Sequence, residues 1–286
     1  MEKLNRDELF SLAINLDLPS LLKFCRTNKH FSEKICSRDE IWNYRLTKDF
    51  PDYKILNLNK NMNKKEIYQL LYDLVDVKNK LKRRETIYEL YNLQELNLST
   101  SRLTEISANV ANLINLQILD LSNNRLTEIP ASLGNFVNLQ KLNLAANYLT
   151  GIPASLGNLV NLQKLYLSFN NLTEIPANLG NLINLQIFIL HHNKLTEIPV
   201  SLGNLVNLEE FYLSYNKLTE IPPELGNLVN LQVLQLSSNN LTEISTSLGN
   251  LTNLQRLELS HNKFSEQEKT KIKQIFKGRT KLRMKL

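Results

Sequence analysis

The sequence predicts an α/β solenoid, with a curved parallel sheet on its concave face and a loop, 3-10 or short-helix convex face, preceded by a small all-helical module. Three observations carry this. One phrase recurs eight times, each copy starting 23 residues after the last, at Leu93, Leu116, Leu139, Leu162, Leu185, Leu208, Leu231 and Leu254. A fixed period of this size marks a repeat whose units bury their apolar faces only against neighbours. Within the copy LQKLYLSFNNLTEIPANLGNLIN, Leu162, Leu165 and Leu167 follow a strand's alternation, while Leu172, Ile175, Leu179 and Leu182 turn inward from a return segment. The first ninety residues lack the phrase and show helical spacing instead.

Taken in order, residues 3–49 read as three helices. Leu4, Leu9, Leu12 and Leu16 give one apolar face, Leu18-Pro19-Ser20 restarts a helix, and a third follows Ser37 with Asp39 and Glu40 in its first turn. The stretch LNRDELFSLAINLDLPSLLKFCRTNKHFSEKICSRDEIW resembles an F-box in a leucine-rich first helix, D-L-x-x-L-x-x-x-C-R, and a closing Ile-Trp. The likeness rests on Leu9, Leu16, Asp17, Leu21, Leu22, Cys25, Arg26, Phe31, Ile41 and Trp42. It departs from the family at Leu4-Asn5, where an opening Leu-Pro is usual, at Lys29, where a Trp stands, and at Pro19. The resemblance implies docking onto the adaptor of a cullin-type ubiquitin ligase through Leu9, Leu16, Leu21, Leu22, Ile41 and Trp42. The alternative is a helical cap of purely structural role.

Pro51 closes this module, because a residue before proline leaves the helical region. Lys54–Met62 is polar and reads as a linker. Asn63 with Glu66 forms a capping box ahead of Ile67, Leu70, Leu71, Leu74 and Val75, and Ile87, Leu90 and Tyr91 form a truncated leading turn. The expected domains are therefore 1–50, an F-box-like module; 51–92, linker and N-terminal cap; 93–262, the repeats; and 263–286, a C-terminal capping helix and edge strand. In the last of these Ser265 with Glu268 makes a capping box, Gly278 stops the helix, and Lys281–Leu286 alternates as a final strand.

The repeat resembles the leucine-rich repeat, L-x-x-L-x-L-x-x-N-x-L, in its 23-residue form with Ile-Pro after the strand. Asn at the ninth place, from Asn124 to Asn262, needs amide partners amid leucines and is expected to bond neighbouring turns; the first copy has Ser101 there. Prolines from Pro130 to Pro222 fix φ where the return begins, and six of the eight glycines recur at the nineteenth place to relieve a tight return.

The formal charge of +6 is local: Lys263–Leu286 holds nine Lys/Arg against two Glu, so a charged edge explains it without nucleic acid. Cys25 and Cys36 have no metal spacing and read as free thiols in a reducing compartment. The start, MEKLNRDELF, lacks a signal peptide's apolar run, and no stretch of about 18 apolar residues could span a bilayer. Soluble protein in the cytoplasm or nucleus is expected, with no membrane, small-molecule substrate or cofactor. His30, His191, His192 and His261 have no nucleophile or metal partners at suitable spacing, so no enzyme is expected. The combination also resembles repeat proteins of large DNA viruses of protists.

The copies compare themselves. Outer places hardly vary, whereas the concave-face places three, five, eight and ten differ in nearly every copy. Aromatics gather there in the third to sixth copies: Tyr148, Tyr166, Phe169, His192, Tyr212 and Tyr215, beside Ile187 and Ile189. A central aromatic cluster with a polar surround has the form of an interface hot spot. The expected function is a protein–protein interaction receptor, the substrate-recognition subunit of a ubiquitin ligase; the alternative is a free-standing binding scaffold.

Overall fold

A computed structural model describes residues 4–56, 58 and 61–286. Part of the expected Lys54–Met62 linker, residues 57, 59 and 60, lies outside them, as do residues 1–3. The chain divides into two compact units, Met1–Asn92 and Leu93–Leu286.

In the first unit, α1 (Arg6–Asn15) starts at a capping box of Asn5 and Glu8, and α2 (Leu18–Thr27) is capped by Asp17, with Pro19 tolerated in its first turn. A short turn α3 (Lys29–Phe31) runs into a π-turn at Ser32–Cys36, followed by α4 (Asp39–Asp49). The predicted capping box of Asn63 and Glu66 opens α5 (Lys64–Lys80), and a further box of Thr86 and Glu89 opens α6 (Ile87–Tyr91). The helical unit does not close at residue 50. Tyr68 of α5 donates to Asp49 of α4 at 2.6 Å, and its ring meets Trp42 at 6.0 Å and Phe50 at 5.5 Å. The buried Arg45 lies over that ring at 5.2 Å and donates to the Leu16 carbonyl at 2.6 Å.

The free-thiol expectation is overturned: Cys25 and Cys36 form a disulfide. The π-turn carries Cys36 back to α2 until the two Cα atoms stand 5.8 Å apart. The inference of a reducing compartment loses its support with it.

The second unit is one sheet of nine parallel strands in sequence order. The strands β1 (Glu95–Asn97), β2 (Ile118–Asp120), β3 (Lys141–Asn143), β4 (Lys164–Tyr166), β5 (Ile187–Ile189), β6 (Glu210–Tyr212), β7 (Val233–Gln235) and β8 (Arg256–Glu258) each occupy places three to five of a copy. Register pairs like with like: Leu142 opposite Leu165, Leu165 opposite Phe188, Phe188 opposite Phe211. The fourth-place side chains and, from the second copy on, the leucines of the return are buried, so one continuous core runs the length of the unit. A 3-10 turn follows each of β1 to β7, as at Ala177–Asn181, and a proline at the N-cap starts five of them.

The ninth-place asparagines staple neighbours together. Asn170 Nδ2 donates to the carbonyls of Leu144 at 3.0 Å and Leu167 at 3.1 Å, while its Oδ1 accepts from Leu149 N–H at 3.0 Å. The same three bonds recur from Asn124 to Asn262. The glycines serve close approach rather than an unusual φ. A Cβ on Gly180 would stand 2.4 Å from the Ser201 carbonyl oxygen in the next turn.

The unit ends in α7 (Glu266–Ile275) and β9 (Arg283–Lys285), the latter pairing with β8. Only half of the expected capping box forms. Ser265 accepts from Glu268 N–H at 3.1 Å, but the buried Glu268 carboxylate turns to Lys271 at 3.2 Å. Gly278, with φ +84°, turns the chain toward β9 three residues beyond the helix end.

Candidate functional site

The fifth place puts Tyr166, Ile189 and Tyr212 opposite one another on β4, β5 and β6, and the third place does the same for Lys164, Ile187 and Glu210. All six point away from the leucine core, because strand residues alternate between faces. Tyr212 donates its hydroxyl to Glu210 at 2.6 Å. Burial and this bond to a carboxylate push the Tyr212 phenol up to about 12. Burial, with Glu210 nearby, raises Tyr166 as well, and Lys141 Nζ lies over its ring at 5.7 Å.

Three places beyond, at place eight, the backbone itself is unusual. Thr100, Asn123, Ala146, Phe169, His192, Tyr215, Ser238 and His261 all have φ between +54° and +58°. This left-handed region suits Asn and Gly and disfavours larger side chains. Three of the eight nevertheless form a ladder of rings. His192 stacks on Phe169 at 4.4 Å and on Tyr215 at 4.2 Å, with planes within 10° of parallel. Phe169 is 53% and Tyr215 54% exposed, so the ladder presents ring surface to solvent. Tyr148 is also exposed but takes no part in the stack.

Sequence reasoning missed His191. Its ring stands edge-on to Phe169 at 5.1 Å and to His192 at 5.3 Å, and burial lowers its imidazole's affinity for a proton. The signal was present: the seventh place is Ser or Ala in every other copy. Also missed was a polar groove of about 880 Å3 along the second and last places, lined by residues such as Gln140, Gln163, Asn161 and Asn184.

The adaptor-docking residues are mostly not surface. Leu9, Leu21, Ile41 and Trp42 are buried, and Trp42 Nε1 is committed to the Cys36 carbonyl at 3.0 Å. Leu16 and Leu22 keep partial exposure. Among the described residues no helix is long and apolar enough to cross a membrane, and no group of three or more His, Cys, Asp or Glu could hold a metal ion.

A family model for the leucine-rich repeat region matches residues 66–170 and 155–283, together well over half of the chain. No curated protein matches significantly. Among solved structures, a leucine-rich-repeat protein of Leptospira interrogans is 33% identical with a TM-score of 0.57, covering 69% of this chain and 55% of that one. The ectodomain of the membrane receptor kinase GASSHO1/SCHENGEN3 from Arabidopsis thaliana, in complex with CASPARIAN STRIP INTEGRITY FACTOR 2, is 46% identical with a TM-score of 0.53, over 56% of this chain and 20% of that one. The plant peptide hormone receptor RGFR1, in complex with RGF2, is 40% identical with a TM-score of 0.55, over 60% of this chain and 29% of that one. The chain thus matches between 20% and 55% of the length of these three proteins.

Proposed function

We propose, from the premise that this chain belongs to the leucine-rich-repeat family, that its solenoid is a receptor for a protein or peptide held on the concave face. The observation that carries this is the ladder Phe169–His192–Tyr215. Bulky rings stand in a left-handed backbone that favours Asn or Gly, and they are left half-exposed. A fold under selection for stability alone has no use for them there. Two similar solved proteins are receptors captured in complex with a partner, one of them a peptide hormone receptor, which supports reading this face the same way.

Tyr166, Ile189 and Tyr212 form the floor of the site and the ladder forms its wall. Such rings bring large contact area at low entropic cost, and losing one anchor typically costs about 2 kcal/mol. Tyr166→Ala and Tyr212→Ala should each weaken partner binding tens-fold by calorimetric titration, with melting temperature almost unchanged. Glu174→Ala and Glu197→Ala, on the return, should leave affinity alone. Equal affinity in all four would move the site elsewhere.

The finer reading adds the helical unit as the recruiter of a ubiquitin-ligase adaptor. It is supported by the sequence likeness alone, and of the six apolar residues expected to dock, Leu16 and Leu22 are the ones left partly exposed. Leu16→Asp with Leu22→Asp in the full chain should abolish adaptor capture; no capture by the unaltered chain sinks this reading and leaves the receptor reading standing.

A further inference from the structure

We propose that the gap above Ser238, between Tyr215 and His261, is a subsite for an aromatic side chain of a peptide partner whose adjoining carboxylate is held between Lys217 and Lys263. This rests on the receptor reading and narrows the partner to a peptide with an aromatic residue next to Asp or Glu.

The place-eight row is built like a staircase. Its eight residues share one backbone conformation, so their side chains leave the sheet in one direction, a strand spacing of about 4.8 Å apart. Hydrogen bonds hold successive steps, as from Tyr215 N–H to the Ser237 carbonyl and from Ser238 N–H to the Ser260 carbonyl, each 2.9 Å. Where three consecutive steps carry rings, the rings close to 4.4 and 4.2 Å. The backbone thus enforces stacking distance, and only residue identity decides whether a step is filled.

In the seventh copy the step is empty. Ser238 has no ring, and His261 resumes the row in the eighth. Two steps span about 9 to 10 Å, which is room for one further ring with a stacking neighbour on each side. Tyr215 is still 54% exposed although His192 covers one face. At the other end of the ladder Phe169 is followed by Ala146 and then Asn123, so a ring there would find one aromatic wall instead of two.

The charges around the gap select its occupant. Lys217 and Lys263 stand two places further along the sixth and eighth copies, both exposed, with Asn240 between them. Neither is in an ion pair among the described residues. Glu258 on the neighbouring strand is already held by Arg256 at 3.0 Å and Lys285 at 3.8 Å. Glu220 and Glu243 lie three places beyond, on the return. A carboxylate beside the inserted ring therefore meets two cations, and a lysine there meets repulsion.

The test uses the full chain and defined probes. N-acetyl-Trp-Asp-amide should produce saturable NMR shifts in the ring protons of Tyr215 and His261. N-acetyl-Trp-Lys-amide and N-acetyl-Ala-Asp-amide should each bind about tenfold more weakly, the loss of one stacking or ionic contact. Ser238→Phe fills the step as Phe169 does in the fourth copy, so the fold tolerates it; it should abolish the shifts, while Ser238→Ala keeps them. No saturable shift in the unaltered chain, equal binding by all three probes, or undiminished binding by Ser238→Phe overturns the proposal. The titration needs no natural partner, so its failure is separable from that of the receptor reading. Saturable probe binding alongside ineffective Tyr166→Ala and Tyr212→Ala would instead remove the floor residues from the receptor site.

Discussion

Asn170 shows what a single side chain does in a solenoid. Its amide satisfies two carbonyls and one N–H at a point where the chain leaves the strand and no ladder partner remains. Asn170→Ala leaves the Leu149 N–H unpaired inside the protein, at about 1–3 kcal/mol, and takes one of two amide donors from each carbonyl, since Asn147 still reaches Leu144 and Asn193 still reaches Leu167. A loss of about 2 kcal/mol in urea unfolding is expected, against under about 0.5 kcal/mol for Asn171→Ala one place later. Similar effects for both would mean that the staple contributes little. Phe169→Asn tests the left-handed step. Relief of roughly 1 kcal/mol of backbone cost should offset about 1 kcal/mol of lost stacking, leaving the melting temperature nearly fixed while partner affinity falls. Tyr212 offers a pH signature. Its phenol titrates near 12 in the folded state, above the ordinary value of about 10. The folded state therefore binds more protons across that window, so the stabilisation is complete below about 10 and is lost as pH climbs toward 12. Alkaline denaturation should be steeper in this window for the unaltered chain than for Tyr212→Phe, and Glu210→Gln should lower the phenol's ultraviolet titration point.

At the scale of the element, the strands, returns and terminal helix were legible because each place in the phrase does one physical job eight times. Place four must fill a core, place nine must bond two turns, and deviations stand out against the other copies. The glycines were readable as tight positions, but their reason needed coordinates. Gly180 abuts the next 3-10 turn, whereas Gly151 has nothing near its missing Cβ. Gly180→Ala should cost about 1–3 kcal/mol by overpacking, and Gly151→Ala should not destabilise. A thermal shift of equal size for both would show that stacking of the turns is loose. The place-eight conformation was hidden, since Thr, Ala, Phe and Tyr do not advertise positive φ; the repeat imposes it through bonds made by its neighbours. The helical unit was legible in its capping boxes at Asn63 and α4's acidic first turn. It was opaque in its disulfide, because residues eleven apart on one helix stand about 16 Å apart, and the bridge depends on the chain turning back through a π-turn. Of the residues grouped by family likeness, Leu9, Leu21, Ile41 and Trp42 proved to be core, and hydrophobicity alone does not separate core from docking surface.

For the whole molecule, the question is how a one-dimensional stack ends. Stability in such a stack is nearly a sum over units and their interfaces, so an open end exposes a full apolar cross-section. Here α7 lays Ile272 and Phe276 into the interior, Ile275 meets the turn at Gly249 at the spacing an added Cβ would contact, and Arg279 bonds the Gly249 and Leu251 carbonyls. The basic tail is thus structural in most of its parts, with β9 adding an edge whose Arg283 and Lys285 are exposed. Deleting Lys263–Leu286 should lower the melting temperature and bring on aggregation, seen by light scattering. A truncated chain of unchanged stability that had lost affinity for polyanions would assign the tail to binding.

The register of the sheet has a consequence for how such a molecule changes over generations. Because Leu142, Leu165, Phe188 and Phe211 meet as equivalents, any junction between copies is interchangeable with any other. Loss of 23 residues, from Leu139 to Asn161, would bring the second copy against the fourth with every asparagine staple still finding its carbonyls. Unequal recombination can therefore lengthen or shorten the receptor one strand at a time without disturbing either terminus. A copy gained between the sixth and the eighth would move Lys263 one strand further from the ring ladder, so new ligand preferences can arise by insertion alone, with no point substitution in the inner face.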